Sequence, residues 1–239
     1  MKLQKDTKGS ESAVSSGEGP HGRWYGDACG AAFAMELLGE RWSLLIVREM
    51  MLGARRFSEL RQALPNLSAK VLTERLETLQ ANGIVARSFR KPPISAQVYG
   101  LTDWGRALEP VLQELGRWAV RSPMHDHTLP LTPVALMLSM RTMIVPARAS
   151  GLELWIAFDI GEQHFAGRLR EGDLAIHPIG EGMTSPDLRF TAPAASDFLP
   201  VFYGKRSAAE AGGRLKIDGD PAMVQRFIDL FALPPKCEG

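Results

Sequence analysis

RRFSELRQALPNLSAKVLTERLETLQANGIVAR, residues 55–87, decides the fold of the first half of the chain. Phe57, Leu60 and Leu64 recur at the three- and four-residue spacing of a helix face, and Pro65-Asn66 closes that helix after two turns. Ser68 then stands where an N-cap belongs. Leu72, Leu76 and Leu79 form an apolar stripe behind it, and Asn82-Gly83 supplies a stop. A short helix, a tight turn and a second capped helix make a helix-turn-helix, whose second helix enters the DNA major groove while the first crosses the backbone. With the leucines inward, Ser68, Ala69, Lys70, Thr73 and Glu74 face outward on the groove-entering helix, with Glu77 further along. Those at its N-terminus meet base edges or phosphates, helped by the helix dipole. Arg55, Arg56 and Arg61 suit backbone contacts.

On the C-terminal side, residues 84–91 and 97–101 are β-prone arms around Pro92-Pro93, a hairpin with Arg87, Arg90 and Lys91 near its tip. A stiff basic wing of this kind lies along or in the minor groove. Thr102 then caps a long last helix with Trp104, Leu108, Val111, Leu115 and Trp118 on one side, a stripe too apolar for a helix facing water. On the N-terminal side, Ala28, Ala31, Ala32, Met35 and Leu38 mark one helix between Asp27 and Gly39. Trp42, Leu45, Ile46 and Met50 mark another that ends at Gly53. The expected first domain, residues 23–122, is a mostly α winged helix-turn-helix.

The first half resembles the HxlR family of winged helix-turn-helix regulators. Cys29, then AAFAMELLGERWSLLIVREMMLG (residues 31–53), the stretch quoted above, and VYGLTDWGRALEPVLQELGRWA (residues 98–119) carry the resemblance. Its most specific parts are Gly39-x-x-Trp42, Arg56-Phe57-Ser58-Glu59-Leu60 and Leu101-Thr102-x-x-Gly105. It implies a homodimer joined by the first and last helices, binding a two-fold symmetric operator in double-stranded DNA; the regulator itself is expected to be a repressor. Two departures stand out: Gly30 follows the cysteine where most relatives have proline, and most relatives stop near residue 125. Some members sense electrophiles or oxidants through the cysteine at this place. The dipole of the first helix favours a Cys29 thiolate, whereas Asp27 beside it opposes one.

The second half changes period. Leu152, Leu154, Ile156, Phe158 and Ile160 alternate as a half-buried strand does, and further strands are expected at 164–170, 174–179, 188–191 and 214–218. Residues 194–203 read as helical, and Asp220-Pro221 starts a closing helix that turns Met223, Phe227 and Leu230 or Phe231 inward. The expected architecture is α+β, a five-stranded, mostly antiparallel sheet with packed helices over residues 132–235. LELWIAFDI (residues 152–160), Arg170-Glu171-Gly172-Asp173 and DFLPVFYGKRSAAEAGGRLKIDGD (residues 197–220) resemble the sterol-carrier-protein lipid-binding fold. That resemblance implies an apolar tunnel for a lipophilic small molecule, with Trp155, Phe190, Phe198, Phe202, Met223 and Phe227 as lining. The alternative for the same aromatic residues is a solid core.

Composition excludes several classes. Apolar residues make up 45% and charged residues 23%, as in ordinary globular protein. No apolar run approaches the ~18 residues that span a bilayer, so no membrane partner is expected. Residues 1–22 read as a disordered polar tail without a signal sequence, and residues 123–131 as a linker. Net charge is +1, but residues 21–125 hold 14 Lys+Arg against 10 Asp+Glu, and residues 126–239 hold 11 against 14. The first half is therefore +4 and the second −3, which directs DNA to the first. Two cysteines are too few for a disulfide framework and suit the cytoplasm. His125-x-His127 lacks further ligands, so no metal is expected, and no cofactor-cradling loop or catalytic motif occurs. The expected function is a DNA-binding regulator answering to a lipophilic effector. Its alternatives are a redox regulator acting through Cys29, or an enzyme or carrier using the winged domain only for assembly.

Overall fold

The computed structural model describes residues 25–90, 96–180 and 184–238 of the chain. The described residues fall into two compact units, divided between Arg41 and Trp42. In the first, helix α1 (Gly30–Leu38) begins after extended Cys29 and ends at Gly39, whose amide donates to the Met35 carbonyl at 2.8 Å. The second opens on Trp42, held at φ 82°, a left-handed conformation uncommon for a bulky side chain.

Helix α2 (Ser43–Met50) leads through Gly53 to α3 (Phe57–Ala63) and α4 (Ala69–Ala81). Ser68 caps α4 as its sequence position suggests, its Oγ accepting from the Val71 amide at 3.3 Å. Leu60, Leu64, Leu67, Leu72, Leu76 and Leu79 are buried together with Ile46, Val47 and Met50. Strands β1 (Val85–Arg90) and β2 (Ala96–Leu101) pair antiparallel, with Arg87 opposite Tyr99. Lys91, Pro92 and Pro93 of the expected hairpin tip and the expected tail at 1–22 lie outside the described residues.

The single long helix expected after Thr102 is instead two, α5 (Asp103–Arg106) and α6 (Glu109–Ala119). Pro110 explains the break: it has no N–H to donate to Arg106, and its ring would collide with that carbonyl in a continuous helix. Gly105 has a separate reason. A Cβ there would stand 2.2 Å from the Ile84 carbonyl oxygen, so only glycine lets α5 fold back onto the start of the hairpin.

In the C-terminal half, α7 (Pro133–Met143) is capped by Thr132 and precedes β3 (Leu154–Ile160), β4 (Gln163–Arg170) and β5 (Asp173–Ile179). Strand β6 (Leu188–Ala192), α8 (Leu199–Phe202, entered through a 3-10 turn at Ala195–Phe198), β7 (Lys216–Gly219) and α9 (Pro221–Ile228) complete it. The five strands run in the order β5-β4-β3-β6-β7. The pair β3–β6 is parallel and the other three are antiparallel, so the sheet is mixed but mostly antiparallel. Asp220 Oδ1 accepts the Met223 amide at 2.9 Å, which starts α9 at Pro221.

The 123–131 segment does not separate two free bodies, because α7 packs on α2 and α6 as well as on β5. Such a helix needs apolar residues all round, and Val134, Leu136, Met137, Leu138, Met140 and Met143 are all buried. Arg141 pairs with Glu109 at 2.8 Å, and Arg117 donates to the Thr142 carbonyl at 2.7 Å. Leu52, from the winged half, lies in the same apolar core as β3–β7. The chain's end returns too: Lys236 donates to the Val120 and Ser122 carbonyls, each at 2.9 Å, and the Cys237 amide to Arg121 O at 2.9 Å. These contacts satisfy carbonyls that the end of α6 leaves without helical partners.

Candidate nucleic-acid interface

The α4 residues expected to face DNA form an exposed patch: Ser68, Ala69, Lys70, Thr73 and Glu74 are all accessible, while Leu72, Leu76 and Leu79 are 2% exposed or less. Thr73 donates its hydroxyl proton to the Ala69 carbonyl at 3.0 Å, so towards a base it presents lone pairs and a methyl group. Arg61 is exposed on α3.

Arg56 is exposed but engaged. Its amide donates to Glu59 Oε2 at 2.6 Å, and its guanidinium stands 3.0 Å from Glu59 Oε1. Partial burial pushes the Glu59 carboxyl up, but these hydrogen bonds and the Arg56 and Arg55 charges outweigh it and hold the group below the usual carboxylate value. Arg55 departs further from the expected phosphate contact. It is half-buried, and its guanidinium donates to the Glu49 carbonyl and to Gln163 Oε1, both at 3.3 Å.

On the wing Arg87 is exposed. Arg90 ends β1, with its side chain, like Lys91, outside the described residues. The residue that sequence reasoning passed over is Phe89, 68% exposed and two positions from Arg87, hence on the same face. Alternation within residues 85–90 is the signal that finds it. Helices α5 and α6 leave Trp104, Val111, Leu115 and Trp118 exposed, with Trp118 at 73%. The opposite side of α6 carries the Glu109 and Arg117 contacts to α7.

In the C-terminal half Phe190, Phe198, Phe202 and Phe227 are fully buried and pack ring on ring with Phe158 and Phe231. Their centroid separations include 5.1 Å for Phe190–Phe202 and 5.6 Å for Phe190–Phe227. Met223 packs half-buried against this cluster. Trp155, expected in a tunnel lining, is on the other face of the sheet, because strand alternation sets it opposite to Leu154, Ile156 and Phe158. It is 47% exposed and lies under the Arg168 guanidinium, 5.1 Å from the ring centroid. An open groove of about 670 Å³ runs beside α9, lined by Arg148, Ala222, Gln225, Arg226, Asp229 and Leu230.

Cys29 is exposed at the N-cap of α1. The Ala32 and Ala31 backbone amides at the start of α1 hold its thiol below the ordinary value, against a smaller opposing effect of burial. Asp27 accepts the Cys29 amide at 2.9 Å. Among the described residues no helix is long and apolar enough to cross a membrane, and no group of three or more His, Cys, Asp or Glu is placed to hold a metal ion.

Residues 37–127 match the HxlR-like helix-turn-helix family, and residues 138–232 match the SCP-2 sterol transfer family. The uncharacterized HTH-type transcriptional regulator YvaP of Bacillus subtilis (strain 168) is 46% identical over 87 residues, covering 36% of this chain and 80% of YvaP. The HTH-type transcriptional regulator YodB of the same organism is 42% identical over 86 residues, covering 36% of this chain and 77% of YodB. Among solved structures, the reduced form of YodB from B. subtilis is 37% identical, covering 42% of this chain and 100% of that chain with a TM-score of 0.38. Built from a capped α4, an exposed α3–α4 face and a paired hairpin, and extended by a C-terminal half that matches a second family, the chain belongs to the HxlR-like helix-turn-helix family of transcriptional regulators.

Proposed function

We propose that the chain is a homodimeric, operator-binding repressor whose α4 enters the major groove while the Arg87 wing follows the backbone beside it. The observation that carries this reading is the accessible row Ser68, Ala69, Lys70, Thr73 and Glu74 on the first turns of α4, backed by a leucine stripe that is fully packed. Side chains at a helix N-terminus reach base edges, and the amides there attract phosphate. The exposed Trp104, Val111, Leu115 and Trp118 stripe is the surface that a second copy covers.

The C-terminal half serves as the sensor for a lipophilic small molecule. Its interior is filled by six phenylalanine rings, so a ligand enters by moving rings and helices α8 and α9 rather than by filling a ready tunnel. Binding that must rearrange a core is, for that reason, able to report itself elsewhere in the fold. A second reading rests on Cys29: an exposed thiol held below its ordinary value at a helix start suits an electrophile or oxidant sensor. Neither reading assigns a catalytic step to the chain.

The test is binding of the full chain to the duplex immediately upstream of its own gene, against a scrambled duplex of equal length, across a salt series. A preference of roughly 10³ or more supports sequence-specific regulation. Equal, steeply salt-dependent binding to both duplexes reports phosphate attraction alone and sinks the reading. Acyl and aromatic compounds, and separately an oxidant with native and Cys29→Ser chains, then distinguish the two sensor readings by which of them releases DNA.

A further inference from the structure

Arg55 stands at a crossing of three parts of the molecule. Its backbone N–H and C=O exchange hydrogen bonds of 2.8 Å with Tyr99, so the residue adds a rung to the wing immediately before α3 begins. Its Nε donates to the Glu49 carbonyl at the end of α2, and its Nη2 donates to Gln163 Oε1. Gln163 is the first residue of β4, directly after the β3–β4 turn. One residue therefore touches the end of α2, the wing and the C-terminal sheet, and leads into the helix-turn-helix.

A second link runs in parallel. Glu49 is 2% exposed, and its Oε1 accepts from Arg48 at 2.7 Å and from Thr132 Oγ1 at 2.8 Å. The same Thr132 oxygen caps α7 by accepting the Ala135 amide at 3.1 Å. A buried carboxylate cannot lose such partners without a desolvation penalty, so the start of α7 is held to α2. Leu52, buried in the C-terminal core, lies between these polar ties in sequence and keeps the two halves in apolar contact.

We infer that Arg55 is a positioning residue, which passes the placement of the β3–β4 turn to both the wing and the α3–α4 pair, so that the C-terminal half sets how well an operator is discriminated. The inference rests on the reading of α4 and the wing as the DNA-contacting elements. It differs from the phosphate contact that the sequence suggests for Arg55, because it runs through Gln163, an uncharged side chain in the other half of the chain. Substitution of Gln163 leaves the charge of Arg55 in place and removes only the tie. Lysine at position 55 keeps the charge but lacks the planar fork that reaches two acceptors at once.

The experiment compares the full-length native chain with Gln163→Ala, Arg55→Lys and Gln163→Glu, the last restoring an acceptor for the guanidinium. Hydrogen–deuterium exchange without DNA, read in peptides covering residues 52–57 and 96–101, is expected to quicken by about fivefold or more in Gln163→Ala and Arg55→Lys, a 5-fold coupling being the low end for linked sites. The melting temperature stays near native, and Gln163→Glu retains native protection. In the salt-series assay the two loosened variants lose about fivefold in preference for the operator, with the salt slope on scrambled DNA unchanged. Native protection in both variants overturns the inference. Faster exchange spread over the whole chain with a lowered melting temperature overturns it as well, since that is general destabilisation. So does local loosening with undiminished operator preference. If the native chain itself shows no operator preference, the functional reading fails, while the exchange measurement still decides whether Arg55 couples the two halves.

Discussion

Arg56 and Glu59 close a ring around the first turn of α3: the carboxylate accepts the Arg56 amide at 2.6 Å and the guanidinium of the same residue at 3.0 Å. One interaction thus caps the helix and neutralises a cation on the face proposed to meet DNA. Glu59→Gln keeps an acceptor for the cap and removes the charge. It is expected to tighten binding to scrambled DNA and to steepen the salt slope by about 0.9 per released cation. The cost to folding is at most the ~1 kcal/mol of a cap. Because the Glu59 carboxyl is depressed in the folded state, its stabilisation is present above the unfolded value of about 4.3 and is lost as pH falls through the folded one. Denaturant melts of both chains between neutral and acid pH check the sign.

Lys70 is exposed on the first turn of α4 and takes no part in the packing beneath it. Lys70→Ala should weaken DNA binding and lower the salt slope by about 0.9 per subunit, with an unchanged unfolding midpoint. Arg90→Ala is expected to act in the same sense from the wing. Unchanged affinity in both variants would remove the proposed docking of α4 and the hairpin.

Leu115 is 44% exposed in the middle of the α6 stripe, with Val111 and Trp118 one turn to either side. Leu115→Asp should leave the fold intact, shift sedimentation from dimer to monomer, and abolish operator binding with it. A dimer that survives this substitution would place the self-association surface elsewhere.

Phe227 and Trp155 were expected in one lining and are energetically different. Phe227 is fully buried against Phe158, Phe190, Phe202 and Phe231, so Phe227→Ala should destabilise the chain by about 3–5 kcal/mol. Trp155 holds one cation–π contact on a half-exposed face, and Trp155→Ala should cost about 1 kcal/mol or less. Urea unfolding of both variants decides; equal losses would contradict the two-faced assignment of β3.

Cys29 should react early in a pH series. In a Cys237→Ser background, alkylation of Cys29 is expected to rise with a midpoint below the ordinary thiol value of about 8.5, since the backbone amides at the start of α1 favour the thiolate. A midpoint at or above that value would leave the redox reading without its physical basis.

What could be read along the chain was local. Ser68 and Asp220 cap the helices they precede, Gly105 stands where a hairpin and a helix meet, and alternation over residues 152–160 marks a strand. The two caps and the strand follow from neighbours within a few positions, where backbone hydrogen bonding and side-chain period act, whereas the need for glycine at 105 comes from the Ile84 carbonyl 21 positions earlier. The break at Pro110 was legible as well, but the apolar stripe running through it masked the boundary.

The sequence by itself determined the winged helix-turn-helix, the caps, the order of strands along the chain and the residues that α4 turns outward, because these depend on short-range geometry and on the burial of one face. Only the tertiary structure decided that Arg55 serves Gln163 rather than solvent, and that Glu49 is buried against Thr132. It also decided that α7 joins the two halves. Those outcomes depend on pairs separated by many tens of residues, such as positions 55 and 163 or 49 and 132. A cation's partner is set by which acceptor the fold brings within about 3 Å, and spacing along a chain carries no record of that.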